Sequence, residues 1–151
     1  MDHLIIKNYN NYKYNLKILK VNYYYFAYGT NLNKKVFLKR YKDAKIIKKY
    51  NLINFKVVFR SRYKVPDLQK KLNSKVPGII YKINKEIEKK LDKYEDYPKM
   101  YIKKYFIYKK NKIMFYSMKK KTPIKRPSGY YYKIMIEGYK QNNFKTLPFN
   151  L

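Results

Sequence analysis

The chain has 151 residues, a length typical of one domain. It contains no Cys and a single His, which excludes cysteine nucleophiles, disulfide frameworks, Cys-based metal sites and multi-histidine metal sites. Apolar residues make up 46% of the chain and aromatic residues 19%, so a core can form and disorder of the whole chain is excluded despite the net charge of +29.

The positive charge is a weak argument for nucleic-acid binding. Only 4 of the 38 basic residues are Arg, the side chain best suited to bidentate contacts with bases. Lys, Asn, Tyr and Ile, whose codons are rich in A and T, account for 86 of the 151 residues. We therefore attribute the charge to base composition and expect no specific nucleic-acid partner, beyond weak salt-dependent adhesion to phosphate.

Residues 1–20 form an extension rich in Asn, Lys and Tyr, and residues 21–151 are expected to form a single domain. The extension lacks an apolar run long enough for a signal peptide, and no stretch of the chain approaches the ~20 apolar residues of a membrane span. We therefore expect a cytoplasmic protein with no membrane partner.

In chain order, the first half of the domain is predicted to consist mainly of strands. Apolar and aromatic runs predict three of them: residues 21–28, residues 46–60 with a bend or break at 51–54, and residues 76–83. Gly29 ends the first strand, and Asn31 or Asn33 caps a short helix through about residue 41. The segment 61–75 is polar and contains a proline, so it is expected to be a loop.

The second half is predicted to hold two helices around a hairpin. Asn84 caps a helix in which Ile87, Leu91 and Tyr94 follow helical spacing and form one buried stripe, and Pro98 ends it. Two strands, a basic loop and a final helix follow: residues 100–108, 113–118, 119–126 and 127–142. The alternation of elements predicts an α+β domain.

The sharpest local signal is YFAYGTNL at residues 25–32, where a strand ends in Gly29 and is followed by Thr30 and Asn31. Such a turn can present successive backbone N–H groups beside a helix N-terminus, where they bind an oxyanion or a carboxylate. The same pattern also occurs as a purely structural turn.

An acidic cluster ends the helix that Asn84 begins. Three of the nine acidic residues fall within five positions: Asp92, Glu95 and Asp96. Leu91 faces the core, so Glu95, one turn later, lies near the buried edge of the helix. A carboxylate held there among tyrosines would have a raised pKa and could act as a general base. A solvated acidic helix end is the alternative.

Four blocks resemble the γ-glutamylcyclotransferase family in order and spacing: YFAYGTNL (25–32), NFKVVF (54–59), VPGIIYKINKEIEKKLDKYEDYPKMY (76–101) and FYSMKKKTPIKRPSGYYYKIMIEGYKQNN (115–143). They are similar to the family's YGSN turn, its strand, its LDxxEG helix end followed by Tyr, and its PSxxY helix. The resemblance covers about residues 23–145.

The resemblance implies a small mixed-sheet β-barrel with flanking helices. It also implies cyclisation of a γ-glutamyl group to 5-oxoproline by its own α-amine, with Glu95 as acid and base. The implied substrate-binding residues are Tyr28, Gly29, Thr30, Asn31, Tyr101 and Tyr131. This chemistry needs no metal or cofactor, because one carboxylate can move the proton and the attack is intramolecular.

Two positions depart from the family pattern. Thr30 replaces Ser, which keeps the hydroxyl and adds a methyl group. Asp96 replaces the Gly that follows the catalytic Glu; if this position has a positive φ, Asp fits it less well than Gly.

The sequence does not identify the leaving group, which could be an amino acid, an amine, a lysine isopeptide or glutathione. The segments 61–75 and 119–126 are expected to form the part of the pocket that holds the leaving group, beyond the glutamyl moiety. The main alternative is a non-catalytic binding module on the same fold, with its basic surface on nucleic acid or an acidic partner. The expected partner is a small γ-glutamyl molecule, and either a monomer or a homodimer is compatible with the sequence.

Overall fold

The structure is a computed structural model that describes residues 21–144. The predicted extension 1–20 lies outside the described residues, so the division of the chain at residue 20 stays a prediction. The described part holds six strands: β1 (Tyr23–Ala27), β2 (Lys45–Arg60), β3 (Val65–Ile83), β4 (Tyr101–Tyr108), β5 (Asn111–Met118) and β6 (Ile124–Lys125). Its helices are a 3₁₀ turn (Thr30–Leu32), α1 (Lys34–Arg40), α2 (Lys85–Tyr94) and α3 (Gly129–Gln141).

The strands form one mixed sheet in the order β4-β5-β1-β3-β2-β6. Only β1 and β5 run parallel; every other neighbouring pair is antiparallel. The sheet curls into a half-barrel whose two edge strands, β4 and β6, do not pair. The predicted α+β fold with a mixed barrel-like sheet and flanking helices is therefore confirmed. No helix within residues 21–144 is long and apolar enough to cross a membrane.

The loop predicted at residues 61–75 is wrong. Only residues 61–64 turn, and β3 then pairs with β2 from Val65 onward, with Pro66 opposite Phe59. A proline is tolerated near the start of a strand, where the lost N–H costs little. The segment is polar in composition because residues 69–75 of β3 are mostly exposed and Asp67 is a buried ion-pair partner, which together hide the strand pattern.

The bend predicted near residues 51–54 is confirmed at Asn54. The pairing of β2 with β3 shifts register between Ile53 and Phe55, and both Asn54 and Asn73 have positive φ values of 62° and 61°. The side chain of Asn54 accepts a hydrogen bond from the Asn73 backbone N–H at 3.2 Å. Asparagine tolerates this left-handed conformation better than most residues, so the pair sets the bulge.

The core lies between the curled sheet and its helices, and α3 contributes the buried Met135 and Tyr139. Phe37 of α1 stacks on Tyr81 of β3 with ring centroids 4.2 Å apart. Ile87 and Leu91 of α2 are buried as predicted, but Tyr94 is 45% exposed and is not part of the buried stripe. Because Tyr94 is the last residue of α2, it extends past the sheet toward the cavity described below.

Candidate active site

Side-chain hydrogen bonds to neighbouring core residues hold the turn after β1, residues 28–31, in place. The Tyr28 hydroxyl donates to the Tyr116 carbonyl at 2.7 Å, and the Asn31 side-chain amide donates to the Tyr25 hydroxyl at 2.9 Å. A Cβ on Gly29 would stand 2.9 Å from the Pro66 ring, so the close approach of β3 requires glycine there. The side chains of Tyr28 and Asn31 thus support the turn from within the core.

The end of α2 brings Glu95 to the same place. Glu95 is the C-cap residue of α2, and its N–H donates to the Leu91 carbonyl at 2.8 Å. Asp96 follows with a φ of 49°, the left-handed conformation that Gly would adopt without strain. The Asp96 carbonyl then accepts the Met100 N–H at 2.8 Å and directs the chain into β4.

A cavity of about 260 Å³ opens between the turn after β1, the β2–β3 turn, the end of α2 and the start of α3. We call it the Glu95 cavity. Its lining residues are Thr30, Tyr63, Val65, Tyr94, Glu95, Met100, Tyr101 and Tyr131. Four of the predicted site residues therefore meet at one cavity: Thr30, Glu95, Tyr101 and Tyr131. Three others do not line it and build the adjoining turn: Tyr28, Gly29 and Asn31.

Burial raises the pKa of the Glu95 carboxyl from 4.5 to about 7. None of the four ion pairs found in residues 21–144 involves Glu95, so no cation offsets that burial by pairing with it. Its charge also contributes, after burial, to the raised pKa of Tyr25, Tyr28 and Tyr101. A carboxyl with a pKa near 7 can both accept and return a proton at neutral pH.

The tyrosines of the cavity are fixed by separate contacts. The Tyr101 hydroxyl donates to the Pro66 carbonyl at 2.7 Å, and Thr30 Oγ1 lies 3.5 Å from the Tyr94 hydroxyl. Asp92 is engaged elsewhere: it pairs with Lys103 at 2.8 Å and accepts the Tyr116 hydroxyl at 2.6 Å. Glu95 is thus the acidic residue available to a molecule in the cavity.

The prediction from sequence missed most of the outer wall of the Glu95 cavity. Tyr63 and Val65 lie in and after the β2–β3 turn, in the segment expected to contribute to the pocket but predicted as a loop. It also missed Asp67, which is fully buried and accepts hydrogen bonds from Arg60 Nε at 3.0 Å and Lys121 Nζ at 2.8 Å. The signal was present: Asp67 is the only acid between residues 44 and 85, and it stands between apolar neighbours.

Residues 21–144 contain no group of three or more His, Asp or Glu residues that could hold a metal ion. What the cavity offers instead is one proton-transfer group, hydroxyls and a backbone turn. In a turn of this kind the first N–H groups precede the first hydrogen bond of the helix, here from Leu32 N to Gly29 O at 3.1 Å. Those N–H groups suit an anionic oxygen.

A family model described as gamma-glutamyl cyclotransferase, AIG2-like matches residues 25–133. A solved structure named gamma-glutamyl cyclotransferase is similar with a TM-score of 0.69 and 24% identity, covering 83% of this chain and 82% of that one. An uncharacterized protein from Homo sapiens gives a TM-score of 0.68 and 25% identity, covering 82% of each chain. An AIG2-like protein from Mus musculus gives a TM-score of 0.56 and 20% identity, covering 68% of this chain and 80% of that one.

No curated protein matches the sequence. The structural similarities establish the fold, and the family model spans well over half of the 151 residues. The chain therefore belongs to the gamma-glutamyl cyclotransferase, AIG2-like family.

Proposed function

We propose that the protein cyclises γ-glutamyl compounds to 5-oxoproline, with Glu95 as general acid and base. The observation that carries the proposal is that Glu95, with its pKa raised to about 7, lines the same cavity as Thr30 of the turn after β1. A module that only binds a partner has no need of an unpaired carboxylate with a raised pKa in a cavity, because its burial destabilises the fold. Family membership supports the same reading.

In the proposed reaction the substrate supplies its own nucleophile. Glu95 removes a proton from the α-ammonium group, and the amine nitrogen attacks the γ-carbonyl carbon. The new C–N bond closes the five-membered ring, and the ring nitrogen then loses a second proton. The old C–N bond breaks as Glu95 passes a proton to the departing nitrogen, and the released amine takes up the second proton and leaves as an ammonium ion. No water is consumed. Because attack is intramolecular, holding the substrate in a ring-closing pose supplies much of the acceleration.

Other groups of the cavity have positioning roles in this proposal. The backbone N–H groups of Thr30 and Asn31 bind the carbonyl oxygen as it becomes negative, or the α-carboxylate of the glutamyl group. Tyr101 of β4 and Tyr131 of α3 pack against the glutamyl chain from two sides of the cavity. Tyr28, Gly29 and Asn31 contribute by fixing the backbone of the turn.

The test is release of 5-oxoproline from a panel of γ-glutamyl-amino acids, γ-glutamylamines and glutathione. Glu95→Gln removes the base and is expected to lower kcat by at least about 100-fold. The matched control is Glu86→Gln, the same change on the first turn of α2, where the side chain is exposed. The control is expected to retain wild-type activity.

Two results would overturn the proposal. Folded wild-type protein that releases no 5-oxoproline from any member of the panel would favour the binding module. Release that is as fast in Glu95→Gln as in the Glu86→Gln control would keep the activity and remove Glu95 from its mechanism.

A further inference from the structure

Arginines are concentrated at the mouth of the Glu95 cavity. The whole chain has 38 basic residues and only four of them are Arg. The guanidinium carbon of Arg40 lies 4.8 Å from the centre of the Tyr94 ring, and that of Arg62 lies 4.7 Å from the centre of the Tyr63 ring. Both tyrosines line the cavity. In a chain that uses Lys for nearly all its surface charge, two of four arginines at one opening indicate a need for their planar hydrogen-bonding geometry.

These arginines stand at the outer end of the cavity. Tyr63 is 57% exposed and Tyr94 is 45% exposed, and both guanidinium groups belong to exposed residues. Arg62 Nη2 donates to the Tyr63 hydroxyl at 2.5 Å, and the contacts with the tyrosine rings orient both guanidinium groups, whose remaining N–H groups can reach a molecule in the opening. Among the residues lining the cavity in the described part of the chain, Glu95 alone is acidic.

The direction of the substrate follows from the proposed function, on which this inference rests. The glutamyl part has to reach Glu95, because its α-amine gives up a proton there. The departing nitrogen also has to reach Glu95 to take up a proton, so it is the rest of the departing group, beyond this nitrogen, that extends toward the mouth. A carboxylate on the departing group would meet the two arginines, whereas a cationic departing group would be repelled.

We propose that Arg40 and Arg62 select γ-glutamyl dipeptides whose departing residue is acidic, such as γ-glutamyl-glutamate, over γ-glutamylamines. The products are 5-oxoproline and a free acidic amino acid. The α-amine nitrogen forms the ring bond, the γ-amide C–N bond breaks, and the two protons that leave the α-ammonium nitrogen end on the amine of the released amino acid, which departs as an ammonium ion. No further reactant is needed.

The experiment compares kcat/KM for three substrates that share the glutamyl part. They are γ-glutamyl-glutamate, γ-glutamyl-glutamine, which differs by one charge, and γ-glutamyl-ethylamide, which has no carboxylate on the departing group. Wild-type protein is expected to prefer the glutamate compound to the ethylamide by about tenfold or more, with the glutamine compound between them. The preference is expected to fall as NaCl is raised, because the groups at the mouth are exposed to screening.

The variants Arg40→Gln and Arg62→Gln are each expected to lower that ratio by about threefold to tenfold. The control is Lys71→Gln, which removes one positive charge at an exposed position of β3 outside the cavity lining. It is expected to keep the wild-type ratio. The ratio cancels a general loss of activity, so partial misfolding of a variant does not mimic the effect.

The outcomes separate this inference from the proposed function. If no substrate yields 5-oxoproline, both fail. If all three are turned over without a preference for acidic departing groups, the proposed function stands and the selection by Arg40 and Arg62 is overturned. If the arginine variants lower kcat/KM equally for all three substrates, the arginines hold the glutamyl carboxylate, and the inference is again wrong.

Discussion

The ionised carboxyl of Glu95 destabilises the folded protein, because burial removes the charge from water. Burial raises its pKa from 4.5 to about 7, which means that the folded protein binds a proton there more tightly than the unfolded chain does. Between those two values the native state holds more protons than the unfolded state, so this group makes the free energy of unfolding fall as pH rises. Above pH 7 the full penalty is present.

Glu95→Gln is therefore expected to stabilise the protein at pH 8 and to change its stability little at pH 4. The shift of the Glu95 pKa sets an upper limit of about 3 kcal/mol on the gain, since one pKa unit corresponds to about 1.4 kcal/mol. Urea unfolding of the variant and of wild type across this pH range measures it. A gain that is equal at both pH values, or one that also appears in Glu86→Gln, would contradict the assigned burial of the Glu95 carboxylate.

The same pKa predicts the pH dependence of the proposed reaction. Glu95 has to be ionised in the free enzyme to accept a proton, so kcat/KM is expected to rise with pH through an apparent pKa near 7. The measurement is the pH–rate profile of 5-oxoproline release below pH 8, where the substrate amine does not yet titrate. An apparent pKa at 4.5, the ordinary value, would place the working carboxylate in solvent.

Asp96 is one of the two positions at which this chain departs from the pattern it resembles, and this departure has a conformational cost. Its φ of 49° lies in the left-handed region. Asp96→Val puts a branched side chain there and is expected to lower the free energy of unfolding by about 1–2 kcal/mol. Asp96→Gly is expected to stay within about 1 kcal/mol of wild type, because relief of strain offsets the added entropy of the unfolded chain. Urea unfolding compares the two; equal losses would contradict the backbone explanation.

At the residue scale, motif spacing predicted the centre of the site and not its mouth. Glu95 followed from its place one turn after Leu91 and from the LDxxE pattern, since helical spacing is local. Tyr94 was wrongly assigned to the core, because its exposure depends on where α2 ends relative to the sheet. The positions of Tyr63 and Arg62 depend on the β2–β3 turn, whose two positive-φ residues are Ser61 and Lys64, so neither Gly nor Asn marks it in the sequence.

The turn that carries Thr30 is positioned by α3. A Cβ on Gly138 would stand 2.8 Å from Leu32 Cβ and 2.9 Å from the Leu32 carbonyl carbon, so α3 packs directly on the backbone of the turn. Asn142, just after α3, adds a hydrogen bond of 3.0 Å from its side-chain amide to the Leu32 carbonyl. The last helix thereby fixes the backbone of the turn beside the Glu95 cavity.

Gly138→Ala is expected to destabilise the protein by roughly 1–2 kcal/mol, although alanine is the better helix former by about 1 kcal/mol. The reason is overpacking against Leu32, which also moves the turn and is expected to lower kcat/KM. Thermal unfolding and 5-oxoproline release measure the two effects. Lys133→Ala, at an exposed position of α3, is the control for helix propensity. A stabilised Gly138→Ala would show that α3 moves away without consequence.

At the element scale, helix starts and most strands were predictable because their signals are local. Asn33 and Asn84 cap α1 and α2 as expected, each accepting a backbone N–H from three residues on. The long β2–β3 hairpin was not predictable in the same way. Its second strand carries the buried Asp67, whose burial depends on Arg60 across the hairpin and on Lys121 from a distant part of the chain.

The whole molecule carries far more positive than negative charge. The formal net charge is +29, and residues 21–144 contain four ion pairs that share three acids. Self-repulsion among the remaining cations opposes the compact state. Net charge does not determine the fold, which depends on strand pairing and on packing of the aromatic core. It does control how the stability of the protein responds to salt.

Added salt is therefore expected to stabilise this protein. The Debye screening length falls from about 30 Å at 0.01 M to about 10 Å at 0.1 M salt. This weakens the repulsion between exposed lysines much more than the attraction within the buried pair of Asp67 and Arg60. The Tm is expected to rise by several degrees over this range of NaCl. Choline chloride at the same ionic strength should give the same rise, because screening does not depend on the cation, whereas an uncharged osmolyte at matched osmolality should not reproduce it. A Tm that falls with NaCl would mean that favourable surface pairs, and not self-repulsion, dominate the electrostatics of the folded chain.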